Sequence, residues 1–186
     1  CDIPIEPQSF DTIVARLLAD YRGRHIGLLA PLVIARKGLY TDLAKWAKGK
    51  GFTHLRVDGR FLPTDKFPRL DRYVEHNIEL PVADVRVDPA NEATLREHLH
   101  EALEHGKGVV LVAAGLERLA AAIDDGESAT DAEPLPTRVF STRRACRQCG
   151  TSYPELDPRL FSFNSKLGWC THCYGTGLQL EGFDIE

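Results

Sequence analysis

An α/β (α+β) fold, a mixed sheet with packed helices plus a small C-terminal four-cysteine zinc module, is predicted by three features of this chain. Apolar segments with helical spacing interleave with short strand-like runs from residue 9 to residue 113. A hydrophobic content of 43% over 186 residues is enough for a real core. Two Cys-x-x-Cys pairs stand close together towards the C-terminus.

Ser9 or Asp11 can cap a first helix, in which Ile13, Val14, Leu17, Leu18 and Tyr21 fall at three- and four-residue intervals; Gly23 would end it. The run from His25 to Ala30 before Pro31 reads as a buried strand, and Arg36-Lys37-Gly38 as a basic turn. Thr41 and Asp42 open a second helix with Leu43, Trp46 and Ala47 on one side, closed by Gly49 and Gly51. Thr53 to Val57 reads as a strand. Asp58-Gly59 is the two-residue type I′ signal that returns the chain through Arg60-Phe61-Leu62 as a hairpin.

Between Ile78 and Val87 the apolar alternation Ile78, Leu80, Val82 slips by one residue before Val85 and Val87 resume it, which predicts a strand with a bulge; Pro81 favours an edge position. Asp88-Pro89 starts a helix from about Asn91 to His105 with Leu95, Leu99, Ala102 and Leu103 inward, stopped by Gly106. Val109 to Ala113 is a compact apolar strand, and Arg138 to Ser141 reads as one more strand feeding the cysteine region. The acidic, proline-containing stretch 124–136 reads as a linker or surface loop. The expected organisation is therefore a domain over 1–123, the linker, and a zinc module over 137–186.

A net charge of −4 with both signs interspersed argues against nonspecific nucleic-acid binding by the chain as a whole. The longest apolar stretch, around Ile26 to Ile34, is too short to cross a bilayer, and the start of the chain has no signal-peptide pattern, so a cytoplasmic protein is expected. The absence of methionine and the start at Cys1 lead us to expect a piece of a longer chain.

The strongest chemical signal is Cys146-Arg-Gln-Cys149 followed by Cys170-Thr-His-Cys173. Each pair can bring two thiolates to one ion, and the spacing between pairs suits a tetrahedral structural Zn²⁺ site with all four positions filled by sulfur. Gly150 and Gly175 can supply the positive φ that such turns use. Incidental reduced cysteines or redox pairs are the alternative. A closed four-sulfur site leaves no position for water, which argues against hydrolysis at the metal. Arg143, Arg144 and Arg147, with Arg138, cluster near the cysteines and could offset thiolate charge or contact DNA.

Other chemistry is sparse. His98, His100 and His105 with Glu97 and Glu101 crowd one helix, and a solvated helix face is the plainer alternative to a second metal. Gly49-Lys50 and Gly106-Lys107 are each followed by glycine, not Ser or Thr, so neither is a P-loop. No Ser, His and Asp set has spacing that points to a nucleophile and its base. A metal-dependent enzyme is the least favoured of three readings, behind a binding domain and a DNA-binding zinc module.

The run Glu155-Leu-Asp-Pro-Arg-Leu-Phe-Ser-Phe-Asn164, framed by Cys146-x-x-Cys149-Gly150 and Gly168-x-Cys170-x-x-Cys173-x-Gly175-x-Gly177, resembles the UvrA family. So do Leu28-Leu29-Ala30-Pro31, Arg36-Lys37-Gly38, Val57-Asp58-Gly59 and His76-x-Ile78-Glu79, and the resemblance covers essentially the whole chain. That family is the ATP-driven damage-recognition subunit of bacterial nucleotide excision repair. The resemblance implies an insert that docks the helicase-like partner UvrB and a cysteine module joining it to the ATPase body. Both ATP sites would lie outside this span, DNA would be engaged by the longer protein, and that protein would be a homodimer.

Arg56, Arg60 and Arg86 are the best remaining candidates for partner contacts under the resemblance, with ordinary surface arginines as the alternative. Two departures bear on them: His54 stands where the family carries an arginine, and Val82-Ala83-Asp84 replaces a Val-Asp-Arg triplet. The family prolines after the leading cysteines are replaced by Arg147 and Thr171. Asp84 reverses the local sign, and a reversed charge in a polar interface works against the original partner, as expected of a divergent paralogue with another partner.

Overall fold

The computed structural model describes residues 5–114, 136–146, 149, 151–153 and 156–178. In chain order its elements are β1 (Ile5–Glu6), α1 (Phe10–Asp20), β2 (His25–Lys37), α2 (Thr41–Gly49), β3 (His54–Val57), β4 (Arg60–Pro63), β5 (Glu75–Arg86), α3 (Glu92–His105), β6 (Val109–Ala114), β7 (Thr137–Ser141) and β8 (Ala145–Cys146), with 3-10 turns at Pro89–Asn91 and Pro158–Phe161. Two compact units divide at Cys1–Pro154 and Glu155–Glu186. Of the expected linker, 124–136, only residue 136 is described. β7 is not the start of the cysteine region but a strand of the main sheet.

The main sheet runs β4-β3-β5-β2-β6-β7. Every pairing in it is antiparallel, so the expected mixed sheet is corrected to an antiparallel one of α+β type. The β3–β4 hairpin reverses the chain, whereas the connections through α2 and α3 each skip one strand and return it in the same direction, which keeps neighbouring strands antiparallel. β1 and β8 form a separate two-stranded ladder with Ile5 opposite Cys146.

All three helices lie on one face. Ile26, Leu28 and Ala30 alternate along β2, which places them on one side of the sheet. Ile26 and Leu28 pack with Ile13, Val14 and Leu17 of α1, Leu95 and Leu99 of α3, Val85 of β5, Val87 just after that strand, and Phe140 of β7. Ala30 continues the layer towards Ala44 and Ala47 of α2, Leu55 and Val57 of β3, and Ile78 and Leu80 of β5. On the other face Leu29 and Ala113 pack with Phe61 and Leu111. No helix covers this second face among the described residues.

Local chemistry accounts for the element ends. Ser9, not Asp11, caps α1: its Oγ accepts the Thr12 N–H at 3.1 Å. Asp88 accepts the Ala90 N–H at 2.9 Å and Pro89 fills the first helical turn, so the chain enters α3 through a 3-10 turn. In α2 the fully buried positions are Ala44 and Ala47, while Trp46 is 38% exposed. Small side chains bring this short helix close to β3 and leave the large ones at the rim.

β2 is longer than its sequence predicts, because neither Pro31 nor Arg36-Lys37 ends it. The register shifts between Pro31 and Val33 and again between Val33 and Arg36, so extra β2 residues bulge out. At the second bulge Ala35 adopts φ 45° and its N–H is taken by Asn77 Oδ1 at 2.9 Å. The slip predicted in β5 is present: Leu28 faces Ala83 and Leu29 faces Pro81, leaving Val82 as the extra residue. Pro81, however, is in an interior strand. It is tolerated there because it sits at the bulge and because β3 pairs with β5 only at Arg56↔Glu79 and Val57↔Ile78.

That short β3–β5 pairing carries a buried charge pair. Arg56 Nη1 lies 3.1 Å from Glu79 Oε2, with side chains 7% and 12% exposed. Arg56 Nε is buried without a hydrogen-bond partner. Burial pushes the Glu79 pKa up, and the attraction of Arg56 does not fully offset this. Removing the cation alone therefore leaves a buried carboxylate uncompensated. Arg56→Met is expected to destabilise the chain by about 3–5 kcal/mol in urea unfolding, and Arg56→Met/Glu79→Met to recover most of that loss. A double variant no more stable than the single one would contradict this account.

Candidate partner surface and cysteine pairs

The sheet places the arginines predicted as partner contacts in different settings. Arg56 is 6% exposed and engaged by Glu79, so it serves the sheet interior and not an open surface. Arg60, the first residue after the Asp58-Gly59 turn, and Arg86, opposite His25 at the end of β5, are exposed. Asp58 and Gly59 have φ 50° and 88°, the paired positive values that the type I′ turn requires. That turn fixes where Arg60 leaves the sheet.

His54 and Asp84 lie on the helix-free face, because Leu55 and Val57 on β3 and Val85 on β5 point into the helix-covered core. The half-buried His54 lines a cavity of about 340 Å³ with Gly51, Phe52, Thr53, Phe61, Pro81 and Val82, where β3 and β5 stop pairing. Its Nδ1 is 3.0 Å from Thr53 Oγ1. Asp84 is exposed, with Oδ1 at 3.5 Å from His25 Nδ1. His54 and Asp84 therefore share one face, which carries an acidic group where a cation was expected.

The cysteine pairs belong to different compact units, and each is described by itself. Cys146 ends β8 and is 4% exposed; its N–H donates to the Thr151 carbonyl at 2.8 Å, and the Tyr153 N–H donates to the Arg144 carbonyl at 2.9 Å. These bonds join the segments 144–146 and 151–153 side by side. The Cys149 thiol lies 3.2 Å from Thr151 Oγ1. Hydrogen bonding to the Thr151 side chain and backbone, and then to Cys146, brings the Cys149 pKa down to about 7.

In the second unit the Tyr174 N–H donates to the Cys170 carbonyl at 2.7 Å, and the Thr176 N–H to the Cys173 carbonyl at 2.8 Å. Tyr174 and Gly175 take φ 48° and 83°. A Cβ on Gly175 would stand 1.8 Å from the Phe163 carbonyl oxygen, so glycine is required there by both backbone shape and space. Hydrogen bonds from the His172 and Cys173 backbone, then from the Cys173 thiol, lower the Cys170 pKa. In each pair the two thiols lie within hydrogen-bonding reach of one another. Among the described residues, no group of three or more potential metal ligands is assembled.

The remaining candidates separate. Arg143 is exposed and Arg144 half-buried, and the backbone N–H of each donates to Ser141 Oγ at 3.2 Å. Arg138 pairs with Asp20 at 2.5 Å. Arg147 and Gly150 lie outside the described residues. The α3 histidines diverge: His98 approaches Glu101 at 3.9 Å, His100 meets the Phe10 ring, and His105 sits edge-on between Trp46 and Phe52. Sequence reasoning did not single out the contact between His76 and Asp58, 2.6 Å apart. Eighteen residues separate them, and only the pairing of β3 with β5 brings them together. No helix among the described residues is long and apolar enough to cross a membrane.

Comparison with known proteins agrees with this placement. The family model of the UvrA interaction domain matches residues 8–115, which run from just before α1 through β6. UvrABC system protein A of Pseudomonas aeruginosa is 35% identical over 185 residues, covering 100% of this chain and 18% of that protein. The proteins of the same name from Neisseria meningitidis serogroup A and Halalkalibacterium halodurans are also 35% identical over 185 residues, with 99% of this chain covered and 18% and 17% of theirs. The chain thus spans about a fifth of the length of these relatives. An antiparallel sheet domain that the interaction-domain model covers from α1 to β6, continuous with two Cys-x-x-Cys pairs and matched end to end by these relatives, belongs to the UvrA family.

Proposed function

We propose that this chain is the partner-docking domain and structural zinc region of a UvrA-type ATPase acting in bacterial nucleotide excision repair. The observation that carries the reading is that the interaction-domain match takes in all three helices and strands β2 to β6, every strand of the main sheet except the edge strand β7. In this reading the chain recruits a UvrB-like protein and catalyses nothing itself. ATP hydrolysis, damage recognition on DNA and homodimer formation belong to the longer protein, in the cytoplasm. Leu156, Phe161 and Phe163 are 57%, 83% and 67% exposed, which fits a segment that packs against the body of that protein.

The docking surface is the helix-free face bearing His54 and Asp84, with Arg60 and Arg86 near its margins. Coulomb complementarity decides which partner it accepts: Asp84 repels an acidic group and attracts a basic one. The usual UvrB, matched to an arginine at this position, is therefore expected to bind wild type weakly. In a binding titration of UvrB from the same cell, Asp84→Arg is expected to tighten the complex by about tenfold or more, equivalent to about 1.4 kcal/mol. Tight binding by wild type that the variant loses would overturn the sign argument.

Cys146, Cys149, Cys170 and Cys173 are proposed to hold one structural Zn²⁺. The mutual reach of the thiols in each pair supports this, and the ion would join two chain segments with an apparent binding free energy of roughly 10–16 kcal/mol. Elemental analysis of reduced protein is expected to return one zinc per chain, and cobalt substitution to give a four-sulfur spectrum. Cys170→Ser should lose both signals. Reduced protein without stoichiometric zinc would end this assignment. DNA contact through Arg143, Arg144 and Arg147 is the weaker reading, since Arg138 is already committed to Asp20.

A further inference from the structure

His76, the second residue of β5, is 7% exposed and bonded at both ring nitrogens. Nδ1 stands 2.6 Å from Asp58 Oδ2, and Nε2 stands 2.9 Å from the Asp71 carbonyl oxygen. Asp58 uses its other oxygen to accept the Asn77 N–H at 2.7 Å. A carbonyl oxygen can only accept, and so can an ionised carboxylate. A neutral imidazole carries one N–H and one lone pair, so it would turn a lone pair against one of these oxygens. Both contacts are satisfied together only by the doubly protonated ring.

The two acceptors come from different segments. Asp58 belongs to the β3–β4 turn, and its N–H donates to the Asn77 carbonyl at 2.9 Å. Asp71 organises the tip of the 64–74 segment, where its Oδ1 accepts the Tyr73 N–H at 2.8 Å. Tyr73 and Val74 are 67% and 50% exposed, and the Arg72 guanidinium lies 4.7 Å from the centre of the Tyr73 ring. At its other end the segment is tied by Thr64, whose hydroxyl donates to the Phe52 carbonyl at 2.8 Å. His76 is thus the polar tie for the Asp71 end, and for the neighbouring turn as well.

We propose that the His76 imidazolium is a pH-sensitive latch, pinning the Asp58-Gly59 turn and the Asp71–Val74 tip to the start of β5 and releasing the tip when the ring loses its second proton. The groups around the ring favour the charged form on balance. Burial works against it, but the hydrogen bonds to Asp58 and to the Asp71 carbonyl, with the charges of Asp58 and Asp71, outweigh burial and leave the His76 pKa raised.

Other charges around it are Arg36 and Lys37 from the end of β2, Arg60 from the turn, Arg72 from the tip, and Glu75 and Glu79 on its own strand, the last held by Arg56. The Tyr40 ring stands edge-on at 6.4 Å, and burial raises its pKa, so it stays neutral throughout. A histidine whose folded pKa is raised adds stability that is complete below its ordinary value of about 6.5 and is lost as pH rises through the folded value.

Hydrogen exchange of the full 186-residue chain, corrected for the intrinsic pH dependence of exchange, tests the latch. Protection over residues 58–77 is expected to fall by about tenfold relative to α3 as pH rises from about 6 to about 9, the effect of losing one charge-assisted hydrogen bond. His76→Gln should remove that pH dependence. Should this variant fail to fold, Asp58→Asn should shift the release to lower pH, with the His76 ring followed by NMR titration. PH-independent protection in wild type, an unchanged release pH in Asp58→Asn, or a ring that titrates at or below about 6.5 would overturn the proposal.

Discussion

The antiparallel ladder between β2 and β5, 13 and 12 residues long, is the constraint on which the remaining structure depends. β3 and β4 attach through β5, and β6 and β7 through β2, so each half of the sheet has its position only because these two strands hold their register. The helices depend on it equally, since Ile26, Leu28 and Ala30 on β2 and Ile78, Leu80 and Val85 on β5 form the floor they cover. A register error of one residue would turn this whole floor to the other face. The bulges at Val82, Leu32 and near Ala35 let strands of unequal length stay paired from end to end while keeping apolar residues on the helix side.

Much of this was legible in the sequence, and the reasons differ by element. The slip in alternation after Val82 reported the bulge directly, because alternation is set by the pleat and any extra residue must interrupt it. Asp58-Gly59 reported the hairpin because few residue pairs accept two successive positive φ values. The extension of β2 was not legible: proline normally ends a strand, and here the chain runs on past Pro31 to Lys37 through two bulges, the second held by the side-chain amide of Asn77, forty-two residues from Ala35. The edge position expected for Pro81 failed for a related reason. Its missing N–H is harmless in an interior strand if the neighbour stops short, and the length of β3 cannot be judged from the residues around Pro81.

The candidate site was legible in its parts and not in its arrangement. Cysteine spacing alone pointed to two ligand pairs, and the glycine at 175 takes the positive φ expected of it. Arg56, by contrast, reads in sequence like any other arginine in an alternating strand. Its neighbours at every second position, His54 and Asp58, are polar, so nothing local distinguishes a buried cation from a surface one. Only the pairing with Glu79 shows that this arginine is held in the sheet, which leaves Arg60, Arg86, His54 and Asp84 to define the charge of the surface around it.

Charge placement across β3 and β5 follows from register. Val57 faces Ile78 and Arg56 faces Glu79, so the turn residue Asp58 must come beside Asn77 and His76. Asp58 is close enough to Glu79 to raise its pKa further, while it also holds the imidazole on its other side. One carboxylate therefore acts on two pairs: it favours the cation at His76 and disfavours the anion at Glu79. The opposing effects leave the buried Arg56–Glu79 pair dependent on how well Asp58 is neutralised, and the group that neutralises it is the histidine bonded to Asp71. Because Asp71 in turn sets the backbone of Tyr73, the order of an exposed loop tip and the electrostatics of the sheet interior rest on the same proton.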